Sequence, residues 1–260
     1  MTQQWAEAFH RHDDWWDEHG HFAPLHWLNP PRLLHIKRQV ERFLTPDTSR
    51  PHALLHGMNV IDIGCGGGLV AEALARLGAH VTAIDIHERP LTVARRHAQA
   101  HHLTIDYRCC PVSDMAQSAP AHYDLVINFE VIEHVSDPAS YLTDSITLMK
   151  KGGIQILSTL NRTWTSFMVA IVGAEYLLRL LERGTHDWNR FLTPQELTHI
   201  IHRQRQRHAT HVVHQQGLVF DPMARVFRLH PSTDVHYFLT LQKGEKGDDG
   251  DGMANGGAHG

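Results

Sequence analysis

Residues 60–68 of the chain read VIDIGCGGG, a short β-rich run that ends in glycines. A helix-favouring segment, Leu69 to Leu77, follows at once and is closed by Gly78. A glycine-rich turn between a strand and a helix lets backbone N–H groups approach a ligand closely. This stretch therefore predicts a ligand site on a strand–turn–helix unit.

The spacing of these glycines separates two classes of ligand. A dinucleotide fingerprint needs G-x-G-x-x-G, whereas the glycines at positions 64, 66, 67 and 68 give G-x-G-x-G and Leu69 follows them. Asp62, just inside the strand, suits a ligand that carries positive charge better than a pyrophosphate. The pattern disfavours an NAD-dependent oxidoreductase.

A second acid completes this pattern. Asp85 ends the next β-rich run, His80 to Asp85, and lies 21 residues after Gly64. A carboxylate at that place can accept both hydroxyls of an unphosphorylated ribose. Asp62, Gly64, Gly66 and Asp85 are therefore the candidate cofactor-binding residues.

Strands and helices alternate from residue 57 onward, which predicts an α/β fold with a parallel sheet covered on both faces. A turn is predicted at Gly152-Gly153. Beyond the three segments already named, the predicted elements are a helix from Pro90 to His102, strands at Ile105–Arg108, Tyr123–Asn128 and Ile154–Thr159, a helix from Ser140 to Met149, a helix starting at Thr193-Pro194, and late strands near Thr210–Val213 and Val235–Gln242.

The predicted organisation has three parts. Residues 1–56 form an N-terminal helical segment, in which Asn29-Pro30-Pro31 opens a helix because proline suits a first turn. Residues 57–243 form the main domain, with an amphipathic insertion or lid at 162–190. Residues 244–260 are Gly/Asp-rich and predict a disordered tail.

The composition is unusual only in its 24 histidines, and the formal net charge is −4 with histidine neutral. About six histidines carry charge at pH 7, so the chain is nearly neutral there. Nothing in this balance calls for a nucleic-acid partner. Three irregularly placed cysteines, no apolar leader and no long apolar run favour a reduced, cytoplasmic protein.

At this point the sequence resembles class I S-adenosylmethionine-dependent methyltransferases, on the strand with D-x-G-x-G-x-G and the acidic end of the second strand. The resemblance implies a Rossmann-like sheet of seven mostly parallel strands, of which the last is antiparallel.

Further segments resemble the ubiquinone-biosynthesis O-methyltransferase family, over about residues 15–240. The most specific are Ile171–Tyr176 (IVGAEY) and Gly184–Asp187 (GTHD). The others include Trp15–Asp17, Pro24–His26, Asn29–Arg32, Glu130–Val135, Ser158–Arg162 and Asp234–Tyr237.

That resemblance implies S-adenosylmethionine as cofactor and catechol-type hydroxyls on polyprenylated rings as substrates. It places Arg32, Gly64, Asp85 and Phe129 at the family's cofactor-binding positions. Arg32 then contacts the methionine carboxylate, for which a guanidinium is well shaped, and Phe129 packs against adenine.

The reacting centre is predicted directly after the fourth strand. Glu130, Glu133 and His134 are spaced i, i+3 and i+4, which on a helical turn puts them on one face. Two carboxylates and an imidazole can hold a divalent cation that promotes deprotonation of a catechol, and the resemblance supports Mg²⁺ there.

Other interpretations of this turn stay open. His134 can act alone as general base, or the turn can cap a helix and face solvent. Glu133 and His134 are the candidate catalytic residues. His186 and Asp187 form a second polar cluster that lines the substrate mouth or stabilises a loop, and Asn161 is a further candidate for the ring substrate.

The apolar positions from Trp164 to Leu181 follow helical spacing between charges, which is typical of an amphipathic helix on a bilayer or of a core helix or lid. We expect peripheral contact with anionic lipids on the inner face of the membrane, and membership of a biosynthetic complex is compatible with it. The competing functions are methylation of another small polyphenol and a non-catalytic cofactor-binding scaffold.

Overall fold

The computed structural model describes residues 13–47, 49–50, 52–163, 191–221 and 223–244. Of the predicted insertion at 162–190 and the predicted tail at 244–260, residues 164–190 and 245–260 lie outside the described residues. The predicted cluster of His186 and Asp187 lies outside them too. The three-part organisation therefore stays a prediction.

The described elements form one eight-stranded sheet with helices on both faces, which confirms the predicted α/β class. In chain order they are α1 (Ala23–Phe43), β1 (Asn59–Ile63), α2 (Leu69–Arg76), β2 (His80–Asp85), α3 (Glu88–Ala100), β3 (Ile105–Cys109), α4 (Val112–Ser118), β4 (Tyr123–Phe129), a 3₁₀ turn (Ile132–His134), α5 (Pro138–Leu148), β5 (Met149–Leu160), α6 (Pro194–His208), β6 (Thr210–Asp221), β7 (Val226–His230) and β8 (His236–Lys243).

The strand order is β3-β2-β1-β4-β5-β8-β6-β7. The first five strands in this order pair in parallel, while β8 runs antiparallel to both β5 and β6. The last strand is antiparallel as predicted. The count of seven was one too low, because β6 turns back into β7 and adds an edge strand.

Apolar side chains divide the sheet into two buried faces, since successive residues of a strand point to opposite sides. Val60 and Leu125 face the side that α1, α2 and α3 cover. Ile61 and Val126 face the side that α4, α5 and α6 cover. Helices therefore shield both faces of the sheet from solvent, as is typical of a parallel sheet.

Two local predictions were wrong. The helix α1 begins at Ala23, so Pro30 and Pro31 lie inside it and do not open it. Buried Ala23 and Leu28 anchor the turns before the prolines, which offsets the two missing N–H donors. The predicted turn at Gly152 is an irregularity inside β5, where the register with β4 shifts.

Among the described residues, no helix is long and apolar enough to cross a membrane.

Leu142→Ala tests the face covered by α5. Leu142 is fully buried, and a large-to-small change in a packed core costs about 2–5 kcal/mol of unfolding free energy. Leu34→Ala is the matched control, because Leu34 is 43% exposed and a surface change costs within about 0.5 kcal/mol. Urea unfolding measures both, and equal losses would contradict the described packing.

Candidate active site

The glycine loop after β1 is folded against β2. The N–H groups of Gly64 and Cys65 donate to the carbonyl of Ile84 at 2.8 and 3.0 Å. Gly64 has φ +73°, and a Cβ there would lie 2.4 Å from Cγ2 of Val131. Glycine is therefore required at this position by both conformation and space.

Asp85 connects the end of β2 to this loop. Its Oδ2 accepts a hydrogen bond from the N–H of Gly66 at 3.0 Å, and its Oδ1 accepts one from His87 at 2.9 Å. Burial raises the pKa of this carboxyl, and the two backbone N–H donors oppose the shift. Each oxygen of a carboxylate has a second acceptor position, so the predicted ribose contact is compatible with these bonds.

Asp62 is the buried carboxylate beneath the loop. It is 3% exposed, and its Oδ2 has no hydrogen-bond partner among the described residues. Burial raises its pKa to about 7, while the positive charge of Arg32 acts in the opposite direction. An unpartnered buried carboxylate is costly, so this one is suited to a cationic ligand.

Arg32 reaches the same edge from α1. It is 5% exposed, its Nη2 contacts Oε2 of Glu130, and its Nε has no partner within the described part of the chain. Burial lowers its pKa to about 9, although the charges of Asp62 and Glu133 favour the protonated form. It therefore remains cationic at neutral pH.

Glu130 is held from three elements. Besides Arg32, its Oε1 accepts hydrogen bonds from Oγ of Ser158 on β5 and lies 2.7 Å from Nε2 of His236 on β8. Its backbone has φ +52°, a conformation that a non-glycine residue rarely adopts. The surrounding contacts hold it in that conformation.

Glu133 lies on the other side of the sheet edge. It is 3% exposed, and its Oε2 accepts a hydrogen bond from Oγ1 of Thr159 at 2.9 Å. Ser158 and Thr159 are successive residues of β5, so the two carboxylates bind to opposite faces. The prediction that Glu130, Glu133 and His134 share one helical face was wrong, because the chain turns at Glu130 and continues as a 3₁₀ turn.

His134 is the exposed member of this set. No group of three His, Cys, Asp or Glu side chains in the described ranges is placed to hold a metal ion together. As arranged here, the predicted Mg²⁺ ligands do not fit a shared ion, since Glu130 already neutralises Arg32.

Phe129 ends β4 beside Arg32. Cζ of Arg32 lies 5.2 Å from the centroid of the Phe129 ring, and Phe238 packs edge-on against that ring at 5.7 Å. The predicted contact with adenine stays a prediction. Asn161, after β5, donates from Nδ2 to the carbonyl of Thr233 at 2.9 Å.

Sequence reasoning missed several polar residues at this edge. His236 came into contact with Glu130 only through the pairing of β8 with β5. Asn128 is fully buried, and neither side-chain polar atom has a partner among the described residues. An asparagine inside the apolar run YDLVINF was a signal for it. Tyr141 is buried as well, and burial, with Glu133 and Asp62 nearby, raises the pKa of its hydroxyl.

Buried polar atoms without hydrogen-bond partners show whether S-adenosylmethionine fits the site. Buried polar groups are normally hydrogen-bonded, yet the described residues leave Oδ2 of Asp62, Nε of Arg32 and Oδ1 of Asn161 without partners. A carboxylate for a sulfonium or ammonium and a guanidinium for a carboxylate are the partners that such a zwitterion needs. The residues therefore fit this cofactor.

The fold and the site define the class, an S-adenosylmethionine-dependent methyltransferase. The sequence pattern of the methyltransferase domain family matches residues 32–221. Magnesium protoporphyrin IX methyltransferase from Synechocystis PCC 6803, solved with its S-adenosylmethionine ligand, is similar with a TM-score of 0.56 at 16% identity, over 92% of this chain and 91% of that one. The N-methyltransferase NodS from Bradyrhizobium japonicum is similar with a TM-score of 0.57 at 15% identity, over 94% and 98% of the two chains.

Proteins related in sequence identify a narrower family than the fold does. The chain is 46% identical to a ubiquinone biosynthesis O-methyltransferase of Cereibacter sphaeroides, over 81% of this chain and 83% of the relative. It is 42% identical to the one from Rhodopseudomonas palustris, over 88% of each chain. The chain belongs to the ubiquinone biosynthesis O-methyltransferase family, and it is an S-adenosylmethionine-dependent O-methyltransferase.

Asp62→Asn tests the burial of the carboxylate. Because the folded pKa of Asp62 is about 7 and the unfolded one about 3.9, the folded state holds its proton more tightly. Wild-type stability therefore falls as the pH rises from about 4 to about 7. The stability of Asp62→Asn relative to wild type should increase by roughly 1–4 kcal/mol across that window.

Urea unfolding at pH 4.5 and 8 measures this difference in the absence of cofactor. Asp106→Asn is the control, because Asp106 is an exposed acid on β3. A difference between Asp62→Asn and wild type that stays constant with pH would contradict the buried, raised-pKa carboxyl.

Proposed function

We propose that this enzyme methylates catechol-type hydroxyls of polyprenylated ubiquinone precursors, namely 2-polyprenyl-6-hydroxyphenol and 3-demethylubiquinol. The observation that carries the substrate class is the 42–46% identity to O-methyltransferases named for ubiquinone biosynthesis. The buried charges of Asp62 and Arg32 support the cofactor half of the reaction.

S-adenosylmethionine supplies an electrophilic methyl group on a sulfonium. In the proposed binding mode, Arg32 binds its carboxylate, Asp62 offsets its positive charge and Asp85 accepts from its ribose. An in-line displacement needs the phenolic oxygen aligned with the methyl carbon. In the proposed binding mode, the side chains at the carboxyl edge of the sheet hold the substrate in that alignment.

His134 is the proposed general base. A phenol has a pKa of about 10, so the enzyme must remove its proton as the new oxygen–carbon bond forms. An imidazole is suited to this task near neutral pH, and His134 stands exposed on the turn after β4. Glu133, which is buried and accepts a hydrogen bond from Thr159, supports the turn and adds negative charge.

Radiolabelled methyl transfer to a polyprenyl catechol tests the function. We expect His134→Ala to lower kcat about 10²- to 10⁴-fold, while the Kd for S-adenosylhomocysteine stays within about twofold. His80→Ala is the control, because His80 is an exposed histidine at the opposite end of the sheet. Undiminished kcat in His134→Ala would refute the base assignment.

The same assay separates the alternatives. No transfer to any prenylated catechol, with transfer to an unprenylated polyphenol, would favour the other small-molecule methyltransferase. Binding of S-adenosylhomocysteine without any transfer would favour a scaffold. Glu133→Ala should reduce transfer without abolishing cofactor binding.

Magnesium stays a prediction that rests on the resemblance. Glu130 and Glu133 bind to opposite faces of β5, through Ser158 and Thr159, so the reaction is proposed to proceed without a metal ion held by both. Parallel reactions with a chelator and with added Mg²⁺ decide the point: activity lost and then restored supports the ion, and unchanged activity refutes it.

Membrane contact also stays a prediction, since it rests on residues 164–190. Co-sedimentation with anionic and neutral vesicles at pH 6 and 8 measures it. Stronger binding to anionic vesicles at the lower pH is expected from the 24 histidines.

A further inference from the structure

A segment that has no role in the proposed reaction lies directly on the glycine loop. We name residues 13–22 the strap. It is folded by its own turns, in which Asp17 N–H donates to the carbonyl of Asp14 and Gly20 N–H to the carbonyl of Asp17, each at 3.0 Å. Oδ2 of Asp14 also accepts from the N–H of His21 at 3.1 Å. The strap is therefore a built structure and not an extended tail.

Trp15 covers the loop. A Cβ placed on Gly67 would lie 2.4–2.6 Å from three atoms of the Trp15 side chain, and a Cβ on Gly66 would lie 2.6 Å from the indole ring. Trp15 is 6% exposed and stacks on Phe22 with ring centroids 4.0 Å apart. Only glycine leaves room for the indole at these two loop positions.

Trp16 holds the loop by a hydrogen bond. Its Nε1 donates to the carbonyl of Gly67 at 3.1 Å. The indole stacks on His97 of α3 with centroids 3.5 Å apart and planes 5° from parallel. Nδ1 of His97 lies 2.7 Å from Oε1 of Glu72, which is 1% exposed and belongs to the first turn of α2.

The strap is also attached to α1 and α3. Nε2 of His26 on α1 lies 2.9 Å from the carbonyl of Trp15, and Arg89 on α3 pairs with Asp13 at 3.0 Å. Glycine loses more backbone entropy on ordering than any other residue, and this loop contains four glycines. Contacts that order it in advance remove that cost from ligand binding.

We propose that the strap is part of the S-adenosylmethionine site, with Trp16 as a positioning residue that sets the Gly67 peptide and Trp15 as the cover that keeps the loop ordered. The strap acts on the affinity for the cofactor and not on the chemistry of the acceptor. Its test uses S-adenosylhomocysteine, so the result does not depend on which catechol is methylated.

Trp16→Phe removes the N–H donor and keeps an aromatic ring over His97. Because one partly buried hydrogen bond contributes about tenfold or less to an equilibrium, we expect the calorimetric Kd for S-adenosylhomocysteine to rise about three- to tenfold. The KM for S-adenosylmethionine should rise by a similar factor, while kcat and the KM for the acceptor stay within about twofold.

Trp27→Phe is the matched control. Trp27 is a half-buried tryptophan that stacks on Phe220, on the hairpin of β6 and β7. A purely structural effect of losing an indole would lower the Tm in both variants, but only Trp16→Phe should weaken cofactor binding.

Trp15→Phe is a second variant that keeps the test decisive if Trp16→Phe does not fold. Its smaller ring covers less of the loop, and we expect about two- to fivefold weaker binding. Binding unchanged in the folded variants would overturn the proposal. Tighter binding would overturn it too, because the strap would then obstruct the site.

Discussion

The contact between Arg32 and Glu130 is the constraint on which the site depends. An arginine that is 5% exposed needs compensating negative charge, because an uncompensated buried ion costs several kcal/mol. Glu130 supplies it from the end of β4, and Asp62 and Glu133 favour the same protonated state. The same contact holds α1 against the carboxyl edge of the sheet, where the glycine loop lies.

The order of the strands alone brings these groups together at the carboxyl edge of the sheet, and no long loop is needed to do so. Since β1 pairs with both β2 and β4, the ends that carry Asp62, Asp85 and Glu130 are neighbours. The antiparallel β8 then begins at this edge and delivers His236 to Glu130. The strap packs on the glycine loop. The loop therefore contacts β2 through backbone hydrogen bonds to Ile84 and contacts Trp15 and Trp16 through Gly66 and Gly67.

The sequence predicted the parts of this arrangement that depend on local pattern. The strand before the glycines, the bounds of β2 and the glycine turn follow from strand periodicity and glycine spacing, and they were correct. The cofactor-binding roles of Asp62 and Asp85 stay a prediction. The prediction that Glu130, Glu133 and His134 lie on one helical face was wrong, because the backbone of Glu130 has a positive φ and the turn is not a regular α-helix there. His236 could not be predicted, since its position depends on pairing between strands far apart in the chain. The prolines of α1 were misassigned for a related reason: burial of the preceding turn outweighs the lost hydrogen bonds.

A double-mutant cycle on Arg32 and Glu130 tests this account most directly. The unfolding free energies of Arg32→Gln, Glu130→Gln and the double variant are measured in urea at pH 7. We expect Glu130→Gln to cost about 3–5 kcal/mol, because it leaves the buried charge of Arg32 without its partner. Arg32→Gln should cost less, because the side chain of Glu130 is 23% exposed. The double variant should lose at least about 1 kcal/mol less than the sum of the two. Single losses that add to within about 0.5 kcal/mol would show that the two residues are not coupled and would contradict the account.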